Sequence, residues 1–159
     1  MHGDAPGLIA GRVQDMRGRR EHAGLPPMTF GVAGYAVVRS SDREAHQEVE
    51  RITNVNGSAA GYDNFQQWTA NTKLDQRLSL ADYSVSNRGL RSGLVGTPER
   101  VLEQVLAFEE AGVDLLLLQC SPQLEEMERF AKQVIAPYHA RCRPERQRTV
   151  LDRHDGTHM

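Results

Sequence analysis

Cysteine is scarce in this chain. Its 159 residues include only Cys120 and Cys142, too few for a disulfide framework and without the surroundings of a zinc site. Both are read as reduced thiols. His22, His46 and His139 fall in helical or tail settings and are not read as metal ligands. An excess of charge of one sign is also missing: 19 Lys and Arg stand against 21 Asp and Glu, a formal net charge of −2. No global field draws the chain to nucleic acid or to an anionic membrane. No stretch approaches the roughly 20 apolar residues of a membrane-spanning helix, and MHGDAPGLIAGR lacks the basic start and apolar core of a signal peptide. A cytoplasmic location is expected. Aromatics make up 6% of the residues, yet Tyr62, Phe65, Trp68 and Tyr83 gather in one polar stretch.

The clearest local signal lies between Gly93 and Ile135. Thr97 is placed to cap a helix whose first residue is Pro98, where a missing N–H costs nothing, and Glu99 sits at the positive end of its dipole. Val101, Leu102, Val105, Leu106 and Phe108 give that helix an apolar face, and Gly112 suits the left-handed residue that ends it. Val113 to Leu118 is then an apolar run, the pattern of a strand buried on both faces. Gln119 to Pro122 turns the chain into a further helix.

Upstream, Leu8, Ile9, Val13 and Met16 predict one side of a helix ending near Gly24. Met28 to Val38 reads as a strand with little charge on either face, and Ser41 with Glu44 has the spacing of a capping box that opens a helix through about Ile52. Two such strands joined by helical crossovers pair in parallel, with helices outside. Asn54 to Ser92 is too long for an ordinary barrel loop and too aromatic for a tether, so it is expected to be a lid or binding insertion. Beyond Pro137 the sequence turns polar and Arg-rich, and residues 138–159 are expected to be a disordered tail.

Taken in order, GLVGTPE, AGVDLLLL and SPQLEEMERFAKQVIAP resemble the carboxy-terminal end of the bacterial luciferase-like superfamily of flavin-dependent monooxygenases. The branch acting on alkanesulfonates and dimethyl sulfone is the most similar. The resemblance implies an α/β fold, the carboxy-terminal part of a TIM barrel formed by residues 1–137 with an insertion at about 54–92. It is a part because a (β/α)8 barrel takes about 250 residues. It also implies FMN in its reduced form, FMNH2, supplied by an NAD(P)H-dependent flavin reductase and used with O2 on a small organosulfur compound. A homo-oligomer of the full-length parent is a further expectation, and most of the flavin pocket would lie in strands that precede this segment.

Barrel chemistry sits at the carboxy ends of strands, which marks two places here, and the resemblance implies a third, a loop where relatives carry an arginine or other polar group. On the first strand, the alkanesulfonate relatives carry arginine and histidine where this chain has Ala33 and Tyr35; Tyr35 is the catalytic candidate, able to donate a hydrogen bond, while Ala33 cannot bind a sulfonate. After the second strand, Gln119 and Ser121 are candidates for substrate binding, in a segment where the alkanesulfonate-type relatives have a tyrosine at the place of Ser121. In the loop before Leu94, Arg91 is a catalytic candidate that would close over a substrate oxyanion, with Asn87 and Arg88 as substrate-binding neighbours. Two other readings stay open. One is a deazaflavin-dependent or other luciferase-like oxidoreductase, the other a non-catalytic truncated remnant.

Overall fold

The computed structural model describes residues 1, 3–54, 66, 67, 70 and 89–141. Helix α1 (Pro6–His22) leads into strand β1 (Gly31–Tyr35), which continues past Ala36 as β2 (Val37–Val38). Helix α2 (Asp42–Thr53) follows. A 3-10 turn (Leu90–Ser92), strand β3 (Val95–Gly96), helix α3 (Pro98–Glu110), strand β4 (Leu115–Gln119) and helix α4 (Gln123–Phe130) complete the order. The caps fall where the sequence placed them. Ser41 Oγ accepts from the Glu44 N–H at 3.3 Å, and Thr97 Oγ1 from the Arg100 N–H at 3.4 Å. Gly112 takes φ 84° after α3.

All strand pairs are parallel. β1 pairs with β4 from Gly31 opposite Leu115 to Tyr35 opposite Gln119, and β2 pairs with β3 through Val37 opposite Val95 and Val38 opposite Gly96. β1 and β2 act as one extended run whose odd-numbered N–H groups all point to one edge. Those of Ala33, Tyr35, Val37 and Arg39 donate to the carbonyls of Met1, Gly89, Leu94 and Gly96 at 2.9, 3.2, 2.9 and 3.0 Å. On the opposite edge Ala36 N–H donates to Gln119 O at 2.9 Å. Three chain segments therefore build one edge and β4 the other.

Side-chain alternation then divides the core in two. Val32, Ala36 and Val38 face the outer helices, packing with Ile9 and Val13 of α1, Val101, Leu102 and Phe108 of α3, and Phe130 and Val134. Phe108 is 1% exposed, and burying such a ring stabilises by about 1.5–3 kcal/mol. Tyr35 and Val37 face the other way. They form a second cluster with Ala45 and Ile52 of α2 and with Leu90.

Several expectations are corrected. The two-strand reading missed β3, because two residues carry no readable alternation; their value is the pair of acceptors that Leu94 and Gly96 offer to β2. In α1 only Ile9 and Val13, four apart, are buried, while Leu8 and Met16 are exposed. β4 is not buried on both faces. Leu116 and Leu118 pack against the core, whereas Leu115 and Leu117 are 53% and 57% exposed. The last helix passes the expected boundary at Pro137. A π turn (Ala131–Ile135), closed by the Ala136 N–H on Ala131 O, widens it just before the proline that cannot donate, and residues 136–141 remain helical. Tyr138 packs against the core. Of the segment read as an insertion, Gly89 to Ser92 lie at the edge of β1, whereas residues 55–65, 68, 69 and 71–88 lie outside the described residues, as do 142–159 of the expected tail. Among the described residues no helix is long and apolar enough to cross a membrane.

Candidate functional site

The carboxy end of β1 brings one residue from each of the first two expected places side by side and the backbone of the third against it. Tyr35 and Gln119 are register partners on one sheet face, and the Tyr35 N–H donates to Gly89 O on the other edge, two residues before Arg91. Arg91 sits in the 3-10 turn, exposed, and its guanidinium makes no hydrogen bond or ion pair among the described residues. Gln119 and Ser121 are also exposed. Tyr35 is not: at 6% exposure it lies beneath α2, against Ala45, Ile52 and Leu90. Asn87 and Arg88 fall outside the described residues.

Ser121 is not a helix cap. The N-cap of α4 is Pro122, which leaves the Ser121 hydroxyl to solvent. Cys120, between the two candidates, is half-buried, and its Sγ lies 3.8 Å from the Gln123 carbonyl. Burial, and after it the nearby Glu126 carboxylate, push the Cys120 thiol above its usual range. A thiol so placed is a poor nucleophile. Below Gln119 on the same face stand the exposed Leu117 and Leu115. At the strand end the exposed Gln119 carboxamide thus stands above two exposed leucines, while the turn that bears the exposed Arg91 abuts the other edge of β1. Among the described residues no group of three His, Cys, Asp or Glu side chains is placed to hold a metal ion.

An open groove of about 590 Å³ lies elsewhere, lined by Arg17, Arg20, Glu21, Leu25, Pro27, Met28 and Asp114. It belongs to the amino end of the strands, since Met28 precedes β1 and Asp114 precedes β4. Arg17 donates to Gly112 O at 3.2 Å and Arg20 to Pro26 O at 2.6 Å, so both guanidinium groups serve the local fold.

The luciferase-like monooxygenase family model matches residues 1–115, nearly three quarters of the chain. The chain belongs to that family. The match ends on the first residue of β4, so it covers α1 to α3 and both candidate positions on β1. Two curated relatives are FMNH2-dependent dimethylsulfone monooxygenases. That of Pseudomonas putida is 28% identical over 141 residues, covering 80% of this chain and 37% of the relative; that of Pseudomonas fluorescens (strain Pf0-1) is 27% identical over 141 residues, covering 80% and 36%. This luciferase-like chain therefore spans little more than a third of the length of the relatives it matches. A solved riboflavin lyase, in complex with modified FMN and riboflavin, superposes with a TM-score of 0.63 at 19% identity, covering 88% of this chain and 39% of that one. The fold is thus an α/β portion of a luciferase-like barrel.

One group near the site was not found from sequence. Arg39, Glu48 and Glu126, the last buried and the others half-buried, form a charge cluster just beyond the strand that carries Tyr35. Glu126 is 87 residues from Arg39 in the chain. No local pattern announces such a pair.

Proposed function

We propose that this chain forms the carboxy-terminal wall of an FMNH2-dependent monooxygenase that oxygenates a small organosulfur compound. The observation that carries the reading is the convergence of Tyr35, Gln119 and the Gly89–Arg91 turn at one strand end, in a chain whose relatives are dimethylsulfone monooxygenases. The residues fit reduced flavin as one wall only. Arg91 and Gln119 can hold oxygen atoms of a flavin or substrate, while Leu117 offers apolar surface to a ring. When bound, reduced flavin would supply the electrons by which O2 places one oxygen atom on the substrate and releases the other as water.

The chain's own residues have separate tasks. Arg91 closes over a sulfonyl oxygen with its planar fork, and Asn87 and Arg88 support it. Gln119 and Ser121 hydrogen-bond the substrate from the opposite side. Tyr35 is the catalytic hydrogen-bond donor, and α2 must lift for its hydroxyl to meet a ligand. Ala33 in place of a cation favours a neutral sulfone over an alkanesulfonate. A flavin reductase, a cytoplasmic setting and an oligomeric complete enzyme belong to the same reading.

The test joins this chain to the amino-terminal part of the Pseudomonas putida relative and measures FMN binding and dimethyl sulfone oxidation with a flavin reductase. Tight FMN binding and turnover in the joined protein, with neither in the 159-residue chain alone, is the expected result. Preference for a deazaflavin would favour the other oxidoreductase reading. Absence of both activities would favour the non-catalytic one.

A further inference from the structure

The strand that carries Tyr35 ends on an ion cluster with no place in the chemistry above. Arg39, the residue after β2, donates from Nη1 to Glu126 Oε2 and to the Val38 carbonyl, both at 2.8 Å, while its Nη2 lies 3.5 Å from Glu48 Oε1. Arg129 Nη1 also reaches the Val38 carbonyl, at 3.1 Å, and stands 3.5 Å from Glu126 Oε1. Arg51 grips Glu48 with two nitrogens at 2.9 and 2.6 Å. The side chains of Glu126, Arg39 and Glu48 are 6%, 16% and 15% exposed. Charges taken this far out of water persist only as partners.

The cluster joins two helices that border the candidate site. Glu48 belongs to α2, the helix lying over Tyr35, and Glu126 to α4, which begins just after Ser121. Arg39 touches both. The apolar seat of α2 is small by comparison: Ala45 and Ile52 are its buried side chains, with Val49 packed alongside. Polar contacts therefore carry much of the attachment of this 12-residue helix; besides the cluster, Arg100 Nη1 donates to Asp42 Oδ2 at 3.2 Å, an exposed pair.

We propose that Arg39 is a positioning residue for the strand-end site. By holding Glu48 and Glu126 at once it keeps α2 seated over Tyr35, and so governs how often the phenol is open to a ligand. The role rests on reading the strand end as the ligand site. The experiment reads the phenol itself, so it can fail while the flavin reading stands.

The measurement is nitration of Tyr35 by tetranitromethane in the full chain, quantified by peptide mass spectrometry against Tyr138, which packs on the other core. Wild type is compared with Arg39→Met, Arg39→Lys and Leu102→Ala, each at the same interval below its own melting temperature. Leu102 lies 4% exposed in the main core, away from the α2 seat, so its variant reports general loosening. Arg39→Met should raise Tyr35 nitration about tenfold relative to Tyr138, with Arg39→Lys between it and wild type, as expected for local opening. Leu102→Ala should leave the ratio unchanged. A ratio in Arg39→Met no higher than in Leu102→Ala overturns the proposal. Should Arg39→Met fail to fold, Glu48→Gln cuts the α2 arm alone: a raised ratio supports the role, and an unchanged ratio overturns it.

Discussion

Gly34 presents a sharp test of how the candidate site is assembled. A Cβ at this position would lie 2.9 Å from Ser92 Oγ, 3.1 Å from Ser92 Cβ and 3.1 Å from Leu94 Cδ1. Neither neighbour has room to yield, since Ser92 and Leu94 are both 0% exposed and Ser92 closes the turn that bears Arg91. Gly34→Ala should therefore cost about 1–3 kcal/mol, the usual penalty of overpacking. For a chain of this size that lowers the melting temperature by about 2–12 °C. Gly31→Ala is the matched control on the same strand, where an added methyl meets Leu115 at an ordinary 3.8 to 3.9 Å. It should be neutral. Gly34→Ala combined with Ser92→Gly removes two of the three clashes, so the pair should be non-additive and recover part of the loss. Thermal and denaturant unfolding followed by far-ultraviolet circular dichroism would measure these three variants beside Ser92→Gly alone and wild type. If Gly34→Ala melted within about a degree of wild type, the close seating of the Arg91 turn on β1 would be refuted.

Other outcomes follow from the same geometry. In the joined protein, Arg91→Ala should cost about 2–4 kcal/mol in transition-state stabilisation on a polar organosulfur substrate and Arg91→Lys should restore only part; unchanged kcat/KM would return Arg91 to a solvent role. Glu48 is held below its ordinary value of 4.5, first by hydrogen bonding from Arg51 and then by the charges of Arg51, Arg39 and Arg129. A lowered carboxylate pKa adds stability that is present above the unfolded value and lost as pH falls through the folded one. Glu48→Gln should accordingly melt well below wild type at pH 7 and converge with it toward pH 3, whereas a gap independent of pH would argue against the ion pair. Cys120 should react slowly with iodoacetamide at pH 8, and Glu126→Gln should speed it, because one of the two influences that raise its pKa is removed. Leu117→Lys should leave the melting temperature unchanged and reduce self-association in light scattering, since that side chain already stands in water.

Much of the helical framework was legible because its signals are local. Thr97 and Pro98, or Ser41 and Glu44, act within one turn, and the structure uses each as written. Gln119 was legible because it follows the apolar run that stops at Leu118, whereas Tyr35 lies inside a strand read through to Val38 and was marked only by the family resemblance. What escaped depends on distant partners. β3 exists because Val37 and Arg39 need acceptors, and Arg39 finds Glu126 only after α4 has packed. The leucines of β4 misled in the opposite direction. An uninterrupted apolar run signals two covered faces, but Leu115 and Leu117 have no cover among the described residues.

The divided edge of β1 and β2 also bears on the order of folding. Met1 lies close in sequence to Ala33, but Gly89, Leu94 and Gly96 lie more than 50 residues beyond the groups they accept from, and Leu115 pairs with Gly31 across a longer span still. During synthesis this strand emerges with both rows of amide groups unmet and waits for its partners to be made. Contacts of such sequence separation slow folding, and an open, largely uncharged strand is exposed to wrong pairings meanwhile. Refolding yield should consequently fall with protein concentration more steeply than the small size of the chain suggests. Slower translation of the segment from residue 40 to 88 would lengthen the vulnerable interval, whereas rapid delivery of the Gly89–Gly96 segment would shorten it.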